Sequence, residues 1–300
     1  MVEEIAATAD AARAASGNAR ELAADARNER VAALALAGPA LALGALVLFV
    51  PLLWLLWQSL IDNAGRLTLQ HYIRIANEGA YVGILRTTFT ISLITTGVTA
   101  ALGYPLAYFL VQLRPRIANI LMIGVLAPFW TSILVRTYAW LVLLQRKGLI
   151  NDALISLGFV KEPLALSYNS TATVIGMAHI MLPFLVLPLY STMRTIDPSY
   201  VRAAANLGAG PVRAFWQIFF PLSLPGFLAG LVLVFVLCLG FYVTPAILGG
   251  GRVTMIAQRI FDSVSLYPTW GPASALGVVL LVMTGLILVL CRHLFVRRQN

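Results

Sequence analysis

Charge is scarce in this chain. Only 11% of its 300 residues are charged, against about 25% in a typical soluble domain, while 60% are hydrophobic. A soluble fold could not hide that much apolar surface. The chain has two lysines, Lys147 in RKGL and Lys161 in VKEP, and neither ends a Gly-Lys-Ser/Thr phosphate loop. Nucleotide hydrolysis by that route is therefore excluded. The two cysteines, Cys238 and Cys291, lie in apolar stretches and indicate no disulfide framework. His71, His179 and His293 are far apart and share no metal-ligand spacing, and His179 reads as a group packed between helices. The long apolar stretches carry no Asp or Glu, the usual intramembrane relay of a proton-driven pump, which argues against a secondary transporter. Net charge is +9, yet the basic face with interleaved aromatics that a nucleic acid requires is missing.

What the chain does have is six long windows free of charge, at 31–61, 87–113, 117–135, 163–193, 214–251 and 263–291. Each reaches roughly the 18 residues expected of a membrane-spanning helix. The third continues past Arg136 to Gln145. They predict an all-α membrane protein with six spans at about 33–57, 84–110, 118–144, 171–193, 222–247 and 272–296. The spans must be helical, because hydrocarbon offers nothing to free N–H and C=O groups. With the N-terminus inside, 12 of the Lys and Arg residues fall in inner segments and eight in outer ones, which places both termini in the cytoplasm. Residues 1–32, rich in Ala with alternating Arg and acidic residues, read as a cytoplasmic tail. They are too polar and too long for a cleavable leader.

One segment breaks the pattern. In IDPSYVRAAANLGAGPVRAFWQIFFPLSLPG, residues 196–226, Asp197 suits a helix N-cap and Pro198 the first helical position. A short helix follows and stops at Gly208 or Gly210, since glycine is the usual left-handed stop. Pro211 opens a second helix, in which Val212, Phe215, Trp216 and Phe219 form one apolar stripe. Pro221 and Pro225 mark a turn into the fifth span. The first helix is nearly smooth, with Ala203, Ala204, Ala205 and Gly208, so another backbone can come close. A plain surface loop would have no need of one smooth end and one aromatic end. A docking element uses both: the smooth helix enters a partner's cleft, and the aromatic stripe anchors on the bundle.

The stretch VRAAANLGAGPVRAFWQIFFPLSLPG resembles the coupling loop of permease subunits of ATP-binding-cassette importers, in which Glu-Ala-Ala is followed by Gly and a hydrophobic run ending in Leu-Pro. Ala203, Ala204, Gly208, Ile218 and Pro221 match that pattern, and Arg202 stands where the acidic residue is usual. GYPLAYFL, PFWTSILVRTYAWLVLL and FYVTPAILGGG are similar to the spermidine/putrescine-type branch. The resemblance implies the type I importer permease fold in a bacterial inner membrane. It also implies a coupling loop at 197–220 that includes Arg202, Ala203, Ala204, Gly208, Phe215 and Pro221. The implied partners are a cytoplasmic ATPase dimer, a second permease subunit that is often a different chain, and a periplasmic solute-binding protein. The chain itself would be no enzyme and hold no cofactor, with ATP and magnesium bound by the ATPase.

Arg136 is the one charge expected within a span, with Trp130, Tyr138 and Trp140 near it in sequence. An intramembrane charge faces a cavity or a partner rather than lipid, with snorkelling to the outer surface as the alternative. Tyr242 and Thr244 sit beside Pro245, where a broken helix could open backbone to a cavity. Trp130, Arg136, Tyr138, Tyr242 and Thr244 are thus the candidate pathway residues. The branch implies a polyamine cargo, whereas spans with Arg136 and no acid fit an anionic or zwitterionic one, such as an amino-acid derivative or opine-like acid. A self-contained secondary transporter is the reading from another class. Reporter fusions test the topology: residue 160 should read periplasmic and residue 206 cytoplasmic, and the reverse pattern would overturn it.

Overall fold

The computed structural model describes residues 34–62, 64–266 and 270–296. The tail at 1–32 lies outside them. Among the described residues the chain is helical, with one isolated β-bridge, Ile61 to Leu67, and no strand. The chain divides into two units, 1–57 and 58–300. The first unit contributes most of α1 (Leu34–Ser59), a helix of 26 residues long and apolar enough to cross a membrane.

The second unit holds the rest. A short α2 (Gln70–Asn77) leads into α3 (Gly79–Gln112), and then α4 (Pro115–Leu126) and α5 (Ile133–Leu143). The connection after α5 carries α6 (Leu149–Ser156) and leads to α7 (Ser170–Arg194). Next come α8 (Pro198–Asn206), α9 (Pro211–Ala214), α10 (Phe220–Leu239), α11 (Val243–Leu248), α12 (Ile256–Leu266) and α13 (Gly271–Val296). Among the described residues five helices pass the length and hydropathy test for a span, and six if the bent α4–α5 pair is one span.

The third and fifth spans differ from expectation. The third, expected as one helix at 118–144, is broken and bent by 99°. Pro128 lacks the N–H for an α-helical bond, and the chain tightens into a 3₁₀ turn, Ala127–Trp130. The Pro128 carbonyl is then taken by the Thr131 N–H at 3.2 Å and the Thr131 hydroxyl at 2.9 Å. Thr131 and Ser132 are extended, and α5 starts afresh. The fifth, expected at 222–247, is instead one helical rod from Pro211 to Leu239, and α11 is separate. No turn forms at Pro221 or Pro225. Residues Phe215–Phe219 widen into a π-helical turn, in which the Phe220 N–H bonds the carbonyl of Phe215, five residues back. The wider turn carries Pro221 without the clash that its ring makes in a regular α-helix.

The core forms around α7. Met177, Met181 and Leu185 of α7 pack with Ile91 of α3 and with Val234 and Cys238 of α10. Lower down, Val186, Leu189 and Met193 meet Ala107 and Leu110. Between helices in lipid, close packing replaces the hydrophobic drive, so small residues gather at the contacts. Gly226 and Gly230 of α10 do this against α7: a Cβ at 230 would lie 3.4 Å from the Leu185 Cα and 3.2 Å from its carbonyl oxygen. In the α5–α7 connection Asn151 is fully buried. Its amide donates to the carbonyls of Gln145 and Leu164 at 2.9 and 3.0 Å, and its oxygen accepts the Leu164 N–H at 2.8 Å. One side chain thus ties down both ends of the long α5–α7 connection.

At Gly226 a Cβ would lie 2.5 Å from the Thr192 Cβ and 3.0 Å from the Pro188 carbonyl oxygen. Gly226→Ala should therefore force α10 away from α7 and cost about 1–3 kcal/mol. A lower thermal midpoint in detergent is the expected result, with Gly124→Ala, which meets nothing within 4 Å, as the neutral control.

Candidate coupling site between α7 and α10

The segment joining α7 to α10 folds as a helical hairpin. Asp197 caps α8, its carboxylate accepting the Ser199 N–H at 2.8 Å. The Ser199 N–H, the Ser199 hydroxyl and, more weakly, Arg202 hold this carboxyl below the usual carboxylate range. Pro198 occupies the first turn as expected. The stop is Gly208, at φ +84°. Its N–H bonds the Ala205 carbonyl and the Ala209 N–H bonds the Ala204 carbonyl, both at 3.0 Å. This pair is the Schellman arrangement, which needs a left-handed residue at that position. Gly210 is extended and caps α9 instead.

The two helices of the hairpin share an inner angle. Ala204 and Ala214 are buried there, beside a cavity of about 260 Å³ that Gln217 and Ile218 also line. This corrects the expectation that Ala204 lies on the outer smooth face. The short side chain of Ala204 lets α8 close onto α9 and the π turn, so a bulky residue there would open the hairpin itself. Arg202, Ala203 and Gly208 are exposed, as is Pro221 at the rim of a second cavity of about 370 Å³ shared with Tyr200 and Ala203. The tip carries bare apolar groups, with Leu207 89% exposed, Val212 71% and Trp216 58%. A third hollow of about 510 Å³ lies between Val212, Arg213 and Trp216.

The other side of the hairpin is anchored. Phe215 and Phe219 each meet Tyr108 of α3 edge-on at 5.1 Å, and Phe215 meets Tyr104 at 6.2 Å. Tyr104 also packs on Phe227 at 5.2 Å, and its hydroxyl is 2.8 Å from Ser223 Oγ. Arg213 Nε donates to Gln217 Oε1 at 3.0 Å along the outer surface. The aromatic stripe expected from the sequence thus splits. Phe215 and Phe219 clamp the bundle, whereas Val212 and Trp216 face outward. The receiving tyrosines went unread as anchors, although Tyr104 and Tyr108 stand one helical turn apart in GYPLAYFL.

The pathway candidates do not converge. Trp130 is 76% exposed in the 3₁₀ turn and Tyr138 is 55% exposed on α5. Arg136 lies one turn beyond the 99° bend, half-buried, with Nε lacking a partner. Its neighbour Thr137 bonds Thr244 at 3.1 Å, so the α5 arm and α11 are joined. Thr244 is fully buried in that contact, and Tyr242 stacks on Phe261 at 4.7 Å. His179 packs between helices, as its sequence position suggests, beside Trp140 with ring centroids 5.8 Å apart. Among the described residues no cluster of three or more His, Cys, Asp or Glu could hold a metal.

Comparison with known proteins places this architecture. Residues 94–299 match the family described as "Binding-protein-dependent transport system inner membrane component". The chain belongs to this family. The permease is 33% identical over 253 residues to the spermidine/putrescine transport system permease protein PotB of Escherichia coli K12, covering 82% of this chain and 92% of that one. Its fold is similar to a chain in the crystal structure of a bacterial ABC transporter involved in the import of the acidic polysaccharide alginate. That match has a TM-score of 0.68 at 16% identity and covers 91% of this chain and 97% of that one. A second structure, of the alginate transporter in complex with an alginate pentasaccharide-bound periplasmic protein, matches with the same TM-score and identity, over 91% and 96%. The chain is therefore a multi-pass inner-membrane permease of an ATP-binding-cassette importer, with the type I permease fold. Membership replaces the reading of a self-contained secondary transporter.

Gly208→Val isolates the role of the hairpin's stop. A Cβ at 208 would meet nothing within 4 Å, so its cost is backbone strain alone, on the order of 1–2 kcal/mol. The expected outcome is faster amide exchange in 203–209 with unchanged exchange in α7 and α10.

Proposed function

We propose that this permease forms half of the translocation path for a polyamine delivered by a periplasmic binding protein. Its hairpin at 197–220 couples that path to a separate cytoplasmic ATPase, which binds the ATP and magnesium. The observation that carries the coupling reading is the unbroken rod from Pro211 to Leu239. A push on the apolar tip at Val212, which lies on that rod, reaches the core of the bundle through continuous helix. The cavities around the tip and its exposed apolar groups support a protein occupant, since bare Leu and Trp on the water side are otherwise a liability. Both termini would then lie in the cytoplasm, on the same side as the hairpin.

The polyamine reading is supported by similarity to PotB over most of both chains. The spans supply no carboxylate, so the second permease subunit, a different chain, and the binding protein would provide the negative charge. Trp130, Tyr138 and Tyr242 could offer aromatic faces to an ammonium group, with Arg136 and Thr244 at the joint that positions them. One observation favours a second cargo: Arg136 in α5 with no acid in any span fits an amino-acid derivative or opine-like anion. Competition by putrescine, spermidine, amino acids and opines for the cognate binding protein separates the two.

Coupling is tested by Leu207→Glu and Val212→Glu, which put charge on two exposed side chains of the tip. Both variants should insert normally, yet lose about tenfold or more of polyamine uptake and of the ATP hydrolysis stimulated by loaded binding protein. That loss corresponds to about 1.4 kcal/mol or more of docking free energy. Arg202→Glu should be tolerated. Normal uptake and stimulation in both tip variants would show that residues 197–220 are only a surface loop.

A further inference from the structure

The hydroxyl side chains of α3 fall on one stripe. Thr88, Ser92, Thr95 and Thr99 recur at i, i+4, i+7 and i+11, with Thr96 beside them. All five are buried, and Ser92, Thr95 and Thr99 are 0% exposed. The Thr88 hydroxyl donates to the Ile84 carbonyl at 2.8 Å and accepts the Ile256 N–H of α12 at 2.9 Å. Thr96 donates to the Ser92 carbonyl at 2.7 Å. Among the described residues the hydroxyls of Ser92, Thr95 and Thr99 have no protein partner.

Buried hydroxyls nearly always find a partner, and each exception calls for a cause. A Ser or Thr in a helix has an acceptor at hand, the carbonyl four residues back, and Thr88 and Thr96 use theirs. Three neighbours on the same helix do not. The stripe lies where α3 packs on α7 and α10, against a core of Met177, Met181, Leu185, Val234 and Cys238. Phe89 of α3 also meets Phe235 of α10 at 6.1 Å. None of these side chains offers a strong acceptor. Val or Ala at the same positions would fill the same space with no unpaired group. This packing is also the one that α10, the inner part of the coupling rod, must alter if the rod moves.

We propose that Ser92, Thr95 and Thr99 are positioning residues for the conformational step of transport. Their unpaired hydroxyls bias the α3–α7–α10 packing against the arrangement described here. They do so in favour of a second arrangement, in which each hydroxyl reaches its own helix carbonyl or water. The inference rests on the coupling reading of the Pro211–Leu239 rod.

The test uses the whole importer, with its companion permease and ATPase, carrying Ser92→Ala, Thr95→Val and Thr99→Val singly and together. Each substitution removes the hydroxyl and keeps nearly the same shape. Each should raise the thermal midpoint of the purified complex, and the triple variant should lower uptake about tenfold with binding-protein affinity unchanged. Thr96→Val, which removes a bonded hydroxyl, should not raise the midpoint. Unchanged or lower midpoints would overturn the proposal, leaving the stripe as helix packing. Raised midpoints with wild-type uptake would overturn it too, because the bias would then not act on transport. A wild-type complex with no ATP hydrolysis stimulated by binding protein would sink the coupling reading instead, and that control precedes every variant.

Discussion

Pro221 sets the problem that the rest of this structure solves. A proline ten residues into a helix normally breaks it, because it gives no N–H and crowds the preceding turn. Here the preceding turn is π-helical, with the Phe220 N–H reaching back to Phe215, and the helix continues through Pro225 to Leu239. The consequence is mechanical. The outer helix of the hairpin and the span beneath it are one body, so the hairpin has no hinge where a loop-to-span junction would usually have one.

A rigid rod still needs bearings. One is the aromatic clamp, where Phe215, Phe219 and Phe227 surround Tyr104 and Tyr108 of α3 and the Tyr104 hydroxyl reaches Ser223. T-shaped ring pairs add roughly 0.5–1.5 kcal/mol each beyond the area they bury. The other is the glycine contact with α7 at Gly226 and Gly230. Pairs of aromatics hold orientation, whereas glycine contacts set distance, and the rod uses one of each. The α8 end is held more lightly, by the small residues Ala204 and Ala214.

The parts legible in the sequence were those governed by one local rule. Six apolar windows gave the helices, Asp197–Pro198 the start of α8, and glycine its end. Gly208 rather than Gly210 took the left-handed turn, a choice that local pattern left open. The illegible parts depended on which rule won at a proline. At Pro128 the span broke, and Thr131 caps the Pro128 carbonyl that the ended helix leaves open. At Pro221 the helix did not break, because the chain before it could widen. Both prolines sit in apolar sequence, and nothing local to either tells them apart. The exposure of Ala204 was misread for a related reason: an alanine-rich helix looks smooth on every face, and only the second helix shows which face is covered. The pathway candidates were drawn from the lone charge in the third span and from the helix break at Pro245, and Thr244 went instead into a sealed contact with Thr137.

The two glycines also set a gearing. If α10 pivots midway between Gly226 and Gly230, where it touches α7, the arm back to Pro211 is about 25 Å and the arm to Leu239 about 16 Å, at 1.5 Å per residue. Such a lever divides displacement rather than multiplying it, returning roughly two-thirds of the stroke as travel at the far end. A motor docked on the tip, as proposed above, would have to move it by more than the Leu239 end travels, and would gain force in the same proportion. A short-stroke motor would be mismatched to this chain; a long-stroke, low-force one would suit it.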